Sequence, residues 1–325
     1  MENKKKKKMS IGRKNENIFC FCALIFMLLQ FLVFYVGMHL EAVLLAFQEF
    51  NPATESMQYL PFSRLFENFV NFIKDLFGGS DLGMYFRNGA LFHLMTLVMM
   101  PLSLSISFII VKKLPLTGFF KVTLFIPNVL STMVLAMLFR YLMLDGYRAV
   151  WMNILNKPYI DFPAPLVNEK YALQTLLWYT IFLAIPGNLL INIGTMSRVP
   201  EDLIEYGKLE GMSYLQEFYY VILPLMFPTL QVYCLGMFVG FFTAEGPLYA
   251  IYGAGNSTKM YLPNNAKTLG YHMFVSVIAD SGSGLDKRFM YGYTSAANLL
   301  IGLVSIPIVY GTKKLFDLFD PNAEF

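Results

Sequence analysis

The side chains best placed to do chemistry lie between Val199 and Pro228, where Glu201, Asp202, Glu205, Lys208 and Glu210 are punctuated by Gly207 and Gly211. Carboxylates and an ammonium spaced in this way can cap helix ends and form ion pairs with a partner surface. They do not form a nucleophile, metal or paired-carboxylate constellation, so the chemistry they point to is docking. Elsewhere His39, His93 and His272 are scattered, and Cys20, Cys22 and Cys234 lie within apolar runs, where cysteine packs as a small hydrophobe. The chain has no HExxH, no paired CxxC and no GxSxG, so zinc and serine hydrolysis have no basis in it. Gly253–Lys259 superficially looks like a phosphate loop, yet it lacks the glycine before the lysine and follows no soluble strand. No ATP-binding motif is present.

The docking residues need a rigid support, and their own sequence supplies one. Pro200 suits a first helical turn, where its missing N–H costs nothing, and Glu201, Asp202 and Glu205 place negative charge at the positive end of that helix. Gly211 can take the positive φ that follows a last helical turn. Ser213 followed by Gln216 three residues later reads as a capping box for a second helix. The chain therefore turns sharply near Gly211. Leu209, Met212, Leu215, Phe218 and Tyr219 are expected to pack around the bend, with Glu205, Lys208 and Glu210 accessible. Gly207, having no Cβ, is expected to let another backbone come close.

The setting is a membrane. Hydrophobic residues make up 56% of the 325-residue chain and charged residues 14%, against about 25% charged in soluble domains. A spanning helix needs about 20 mostly apolar residues, and such stretches occur near 18–46, 88–111, 119–143, 171–195, 222–250 and 289–312. These runs are too long and continuous for an outer-membrane barrel. The fold class that follows is all-α: a polytopic bundle of six transmembrane helices.

Basic residues orient it. Lys4 to Lys8, Arg13 and Lys14 precede the first span, and Lys112, Lys113, Lys121, Arg198, Lys208, Lys313 and Lys314 fall on the same side. Both termini and the helix–Gly–helix element are thus expected in the cytoplasm, with loops 47–87, 144–170 and 251–288 outside. The first apolar run exceeds a signal-peptide h-region and shows no small-x-small cleavage pattern, so it reads as a retained span. The lysine cluster before it reads as a topogenic signal in contact with anionic lipid. A net charge of +3 gives no argument for nucleic acid. The expected organisation is a basic tail at 1–17, a permease-like membrane domain at 18–315 containing the cytoplasmic element 197–221, and a short tail at 316–325.

Glu205, Tyr206, Gly207, Glu210, Gly211, Phe218, Val221, Leu223, Pro224 and Pro228 match the spacing of an EAA-x-x-DGA signature and its following F-x-x-I-x-L-P-x-x-x-P segment. On these residues the chain resembles permease subunits of binding-protein-dependent ABC importers, specifically their carbohydrate branch of maltose-type and multiple-sugar permeases. Gly118–Leu142 adds to the resemblance as the family's third-span segment with its proline. The pattern departs at Tyr206 and Gly207 for the two alanines, Glu210 for the aspartate and Met212 for the last alanine. A bulky Tyr206 then needs a matching hollow in its partner.

The resemblance implies a type I importer permease fold in a bacterial plasma membrane, a carbohydrate substrate and no catalysis in this chain. It implies separate ABC ATPase subunits that hold ATP and Mg²⁺, a second permease subunit and an extracellular solute-binding protein. It also implies that the element at 197–221 is a coupling helix seated in an ATPase cleft, moved as a lever when the ATPases close. Glu205, Tyr206, Gly207, Lys208, Glu210 and Gly211 are the coupling residues so implied.

Candidates for the substrate path come from polar groups within spans, which are costly there and often line cavities or helix interfaces. Asn188 and Asn192 share a helical face by their four-residue spacing. Glu245 and Asn298 add polar groups, and Phe241 and Phe242 add aromatic faces for sugars. His93, Asn128, Arg140, Trp178 and Tyr179 are further candidates, and interhelical hydrogen bonding is the competing reading of all the polar ones. Residues 61–77 repeat Phe and Leu at helical spacing and read as an outer amphipathic helix. The long 251–288 loop suits a binding-protein contact. A membrane scaffold, a membrane enzyme or an importer of a non-sugar polar solute are the alternatives.

Overall fold

The structure, a computed structural model, describes residues 11–240, 245–253, 262–278 and 284–319. Helix α1 (Ile11–Gln30) continues through a wide turn at Phe31–Gly37 into Met38–Leu45. A hairpin of β1 (Gln48–Asn51) and β2 (Ser56–Tyr59) follows, with Gln48 opposite Tyr59 and Asn51 opposite Ser56. Then come α2 (Glu67–Phe77), α3 (Asp81–Val111), α4 (Thr117–Val129), α5 (Thr132–Ile154), α6 (Glu169–Gly187) and α7 (Leu189–Met196). The chain continues with α8 (Glu201–Leu209), α9 (Tyr214–Leu225), α10 (Phe227–Gly240), α11 (Leu248–Tyr252), α12 (Leu269–Ile278) and α13 (Gly284–Leu318).

Among the described residues, four helical stretches are long and apolar enough to cross a membrane: Phe19–Leu45, which runs from α1 through the wide turn, Asp81–Val111, Glu169–Met196 and Met290–Leu318 of α13. Counting each bent pair, α4 with α5 and α9 with α10, as one span gives six. Each overlaps an expected stretch, but the α9–α10 pair covers Tyr214–Gly240 where 222–250 was expected, and two are not straight. α4 and α5 meet at 105° and α9 and α10 at 66°. Proline explains both breaks: Pro127 removes an N–H in the last turn of α4, after which Leu130 is extended and Ser131 caps the new helix by accepting from Val134 N. Pro224 and Pro228 flank the second break.

The loops expected outside the membrane are more structured than their composition suggests. Residues 47–87, read as a loop with one helix, also hold the β1–β2 hairpin, a small departure from an all-α fold. Residues 144–170 are not all loop, because α5 runs on to Ile154. α2 covers the bundle with Phe72 buried and Tyr293 Oη of α13 donating to Asp75 Oδ2 at 2.8 Å. Gly292 of α13 permits this docking, since a Cβ there would collide with the Gln48 carbonyl oxygen. Asn68 fixes the other end by donating to the carbonyls of Ala46 and Gln48 at 2.9 and 3.1 Å.

α3 is the central post. Its N-terminal half holds Phe92, which packs into one core with Leu166, Leu176, Tyr179, Leu248 and Tyr252. Its C-terminal half supplies Met100, Leu104 and Phe108 to a second core with Met196, Phe218, Ile222 and Met226. One helix therefore touches both ends of the bundle. By contrast, none of the most apolar stretch within Phe19–Leu45 is buried, as suits a surface in lipid.

Candidate functional site: a capped bend held to the central helix

The helix–Gly–helix element forms as its sequence requires. α8 starts after Pro200 with Glu201 and Asp202 in its first turn. It ends in a pair of bonds closing on Gly211 at φ 77°: Gly211 N donates to Lys208 O at 3.1 Å and Met212 N to Gly207 O at 2.9 Å. That 5→2 and 6→1 pattern satisfies the last carbonyls of the helix. α9 starts with the capping box, Ser213 N donating to Gln216 Oε1 at 2.8 Å and Gln216 N to Ser213 Oγ at 3.4 Å. With both ends tied, the bend is a rigid corner.

Its surface differs from the expectation. Leu209, Leu215 and Tyr219 do not pack around the bend; they are exposed, Leu209 to 84% and Leu215 to 72%. They sit on helical faces against which no other described element packs, so the corner presents them with Tyr206, which is 69% exposed. Glu205, Lys208, Glu210 and Gly211 are exposed beside them. Gly207 is buried, but no second backbone approaches it. A Cβ there would collide with Met212 Cε, so the Met212 methyl lies where an alanine methyl at position 207 would be. The two departures at 207 and 212 therefore compensate each other.

Phe218 is buried as expected, its ring 5.1 Å from that of Phe108 on α3. Sequence reasoning missed the ion pair next to it. Glu217, on α9, pairs with Lys112 at the end of α3, and both side chains are nearly buried, at 6% and 12% exposure. Lys112 Nζ also lies 5.9 Å from the centroid of the Phe108 ring. The signal was present: a carboxylate adjoining the apolar Phe218–Leu225 run requires a cation when it is buried. What sequence lacked was the helix that brings one.

The substrate-path candidates do not converge. Asn192 is fully buried and donates to Ser103 Oγ at 3.4 Å, while Ser103 Oγ donates to Ile185 O at 2.9 Å, so the pair ties α6 and α7 to α3. Asn188 is half-buried at the bend between those helices, its carbonyl accepting from Asn192 N at 3.0 Å. Asn128 donates to Pro186 O at 2.8 Å. Glu245 is half-buried before α11, and its backbone carbonyl accepts from Thr268 Oγ1 at 3.3 Å. Asn298 lines a separate cavity of about 490 Å³ between α12 and α13. Tyr179 is turned into the core, 4.4 Å from the Phe139 ring, whereas neighbouring Trp178 is 70% exposed. Phe241 and Phe242 lie outside the described residues. Among the described residues no three His, Cys, Asp or Glu side chains gather to hold a metal.

Residues 110–323 match the family model of the binding-protein-dependent transport system inner membrane component. The chain belongs to that family. The match starts just before Lys112 and contains the whole corner. Its relatives include the multiple sugar-binding transport system permease protein MsmF of Streptococcus mutans, 23% identical over 60% of this chain and 63% of the relative. The trehalose transport system permease protein SugA of Mycobacterium tuberculosis is 27% identical over 50% of this chain and 47% of its own length. The chain thus spans about half to under two thirds of these relatives. Two solved structures share its fold along nearly the whole length. One, a bacterial ABC transporter importing the acidic polysaccharide alginate, has a TM-score of 0.68 at 15% identity and covers 93% of this chain and 96% of its own. The other, a bacterial alginate ABC transporter with an alginate pentasaccharide-bound periplasmic protein, has a TM-score of 0.69 at 13% identity, covering 96% and 98%.

Proposed function

We propose that this protein is one permease subunit of an ATP-driven oligosaccharide importer in a bacterial plasma membrane, with both termini and the 197–221 corner in the cytoplasm. The observation that carries the reading is a doubly capped corner that exposes Tyr206, Leu209 and Leu215 yet is anchored to α3 through Lys112–Glu217. A stiff convex apolar tip rimmed by Glu205, Lys208 and Glu210 is shaped to enter a cleft, and apolar anchors with a charged rim are how interfaces gain both area and register. The cleft belongs to a separate ATPase, which binds ATP and Mg²⁺. When two such ATPases close, they displace the corner; the ion pair and the Phe108–Phe218 contact pass that displacement to α3, whose other half packs at the outer end. A second permease completes the pathway, and a solute-binding protein delivers substrate outside. Sugar permeases among the relatives support the substrate class.

The test is purification of the tagged chain from its native membrane in mild detergent, followed by reconstitution of what remains bound. The expected result is an ABC ATPase, a second permease and a solute-binding protein, with ATP-dependent saccharide uptake into liposomes. Recovery without any ATPase would overturn the proposal in favour of a scaffold.

A further inference from the structure

The chain has two tryptophans, and both line one cavity. It lies between the end of α5 and the start of α6, has a volume of about 630 Å³, and is walled by Tyr147, Trp151, Tyr171 and Trp178 with Asp161 and Gln174 among them. That volume falls within the roughly 300–1,000 Å³ of small-molecule sites. Trp178 is separated from Ser197, at the start of the corner's connection, by roughly 30 Å of helix at about 1.5 Å per residue. The cavity is therefore at the opposite end of the bundle from the corner.

Its walls are set in place. Trp151 Nε1 donates to Pro158 O at 3.2 Å, and Lys157 Nζ sits 4.4 Å from the Trp151 ring centroid. Tyr147 is held edge-on to Trp151 at 6.2 Å. Among the described residues the Asp161 carboxylate and the Gln174 amide have no side-chain partner, so both are available to a ligand. Fixed aromatic faces beside a carboxylate and an amide are the pairing that a pyranose requires: C–H faces lie on the rings while hydroxyls donate to Asp161 and exchange bonds with Gln174. Aromatic residues also gather at membrane interfaces as separate anchors. Here they share one concave wall with two polar acceptors, which an anchor in lipid does not need.

We propose that this cavity is an outer-mouth subsite for an oligosaccharide chain, receiving substrate before it enters the pathway. The inference rests on the importer reading above for its direction, but binding can be read without transport. Both tryptophans line the cavity, so tryptophan-selective emission of the full-length chain in tryptophan-free detergent micelles reports it. Maltotetraose, a galactotetraose, an arabinotetraose and an alginate tetrasaccharide serve as probes. At least one is expected to change emission saturably, with the effect weakened tenfold or more by Asp161→Asn combined with Gln174→Ala. In the reconstituted importer Trp178→Ala, at an exposed position, is expected to raise KM tenfold or more with kcat within twofold. Absence of a saturable change with all four saccharides, an unchanged KM in Trp178→Ala, or equal emission changes from adding anionic lipid overturns the subsite and leaves an interfacial aromatic cluster. Loss of ATP-dependent uptake in the unmodified complex would instead count against the importer reading.

Discussion

The two ends of the bundle solve opposite problems with similar residues. At the corner, Tyr206, Leu209 and Leu215 stand out from a convex, doubly capped turn, and the charge behind them, Glu217 with Lys112, is buried. At the far end, Tyr147, Trp151 and Trp178 face a concavity, and the charge among them, Asp161, is exposed. Aromatic and aliphatic content alone therefore does not separate a convex tip from a concave wall. Under the roles proposed for them, what separates the two is curvature and the position of charge: a buried pair would stiffen a lever, whereas an open carboxylate would offer hydrogen bonds.

The largest expected break in this contrast comes from removing one member of the buried pair. Lys112→Met leaves Glu217 buried and uncompensated, which costs about 3–5 kcal/mol. Thermal unfolding in detergent should show a lower midpoint, and the exchanged pair Lys112→Glu with Glu217→Lys should recover most of it. A single variant as stable as the parent would mean the pair does not hold the corner.

Gly211→Pro should abolish coupling with insertion intact, because proline fixes φ near −65° where the corner needs 77°. It also removes the N–H that Gly211 gives to Lys208. Membrane abundance near parental level with lost nucleotide-stimulated uptake is the expected outcome; normal uptake would remove the bend from the coupling path.

Leu209→Ala sharpens the contrast in a different way. At an exposed site the change should leave stability within about 0.5 kcal/mol, while ATPase retention in a pull-down falls by an order of magnitude. If retention is unaffected, the apolar tip is not the docking surface. Gly207→Ala is a smaller probe of how the corner is packed. Alone it pushes the flexible end of Met212 aside, a strain offset by the roughly 0.5–1 kcal/mol that alanine gains over glycine inside a helix, so thermal unfolding should stay within about 1 kcal/mol of the parent.

The smallest effect concerns the far end. Burial pulls the His272 imidazole below its ordinary value of 6.5, Lys267 adds to that pull, and Asp81 opposes it. The unfolded chain then binds a proton near 6.5 that the folded chain takes only at lower pH. Its contribution to stability is accordingly complete above pH 6.5 and declines as pH falls below it. Unfolding midpoints at pH 5 and 7.5 should differ less in His272→Gln than in the parent; identical differences would assign the pH dependence elsewhere.

The corner was legible because every feature that forms it is local: a proline, a glycine and a capping pair act within a few residues of themselves. The spans were legible because the hydrocarbon sets a length that composition must meet. The breaks at Leu130 and Met226 were harder, since Pro127, Pro224 and Pro228 were visible but a proline can bend a span or simply begin one. The β1–β2 hairpin was missed because two four-residue strands carry almost no periodic signal. The exposure of Leu209 and Leu215 was misjudged for a physical reason: apolar type predicts burial only where something is available to bury against.

By itself the sequence determined a helical membrane protein with a rigid charged corner, because hydropathy and capping are properties of short segments. The tertiary structure decided which charge is paired, which apolar residues face outward and which aromatic rings share a cavity. Lys112 and Glu217 are 105 positions apart in the chain, and Trp151 and Trp178 are divided by a loop. Such meetings depend on how α3, α5, α6 and α9 pack, and no local pattern encodes them.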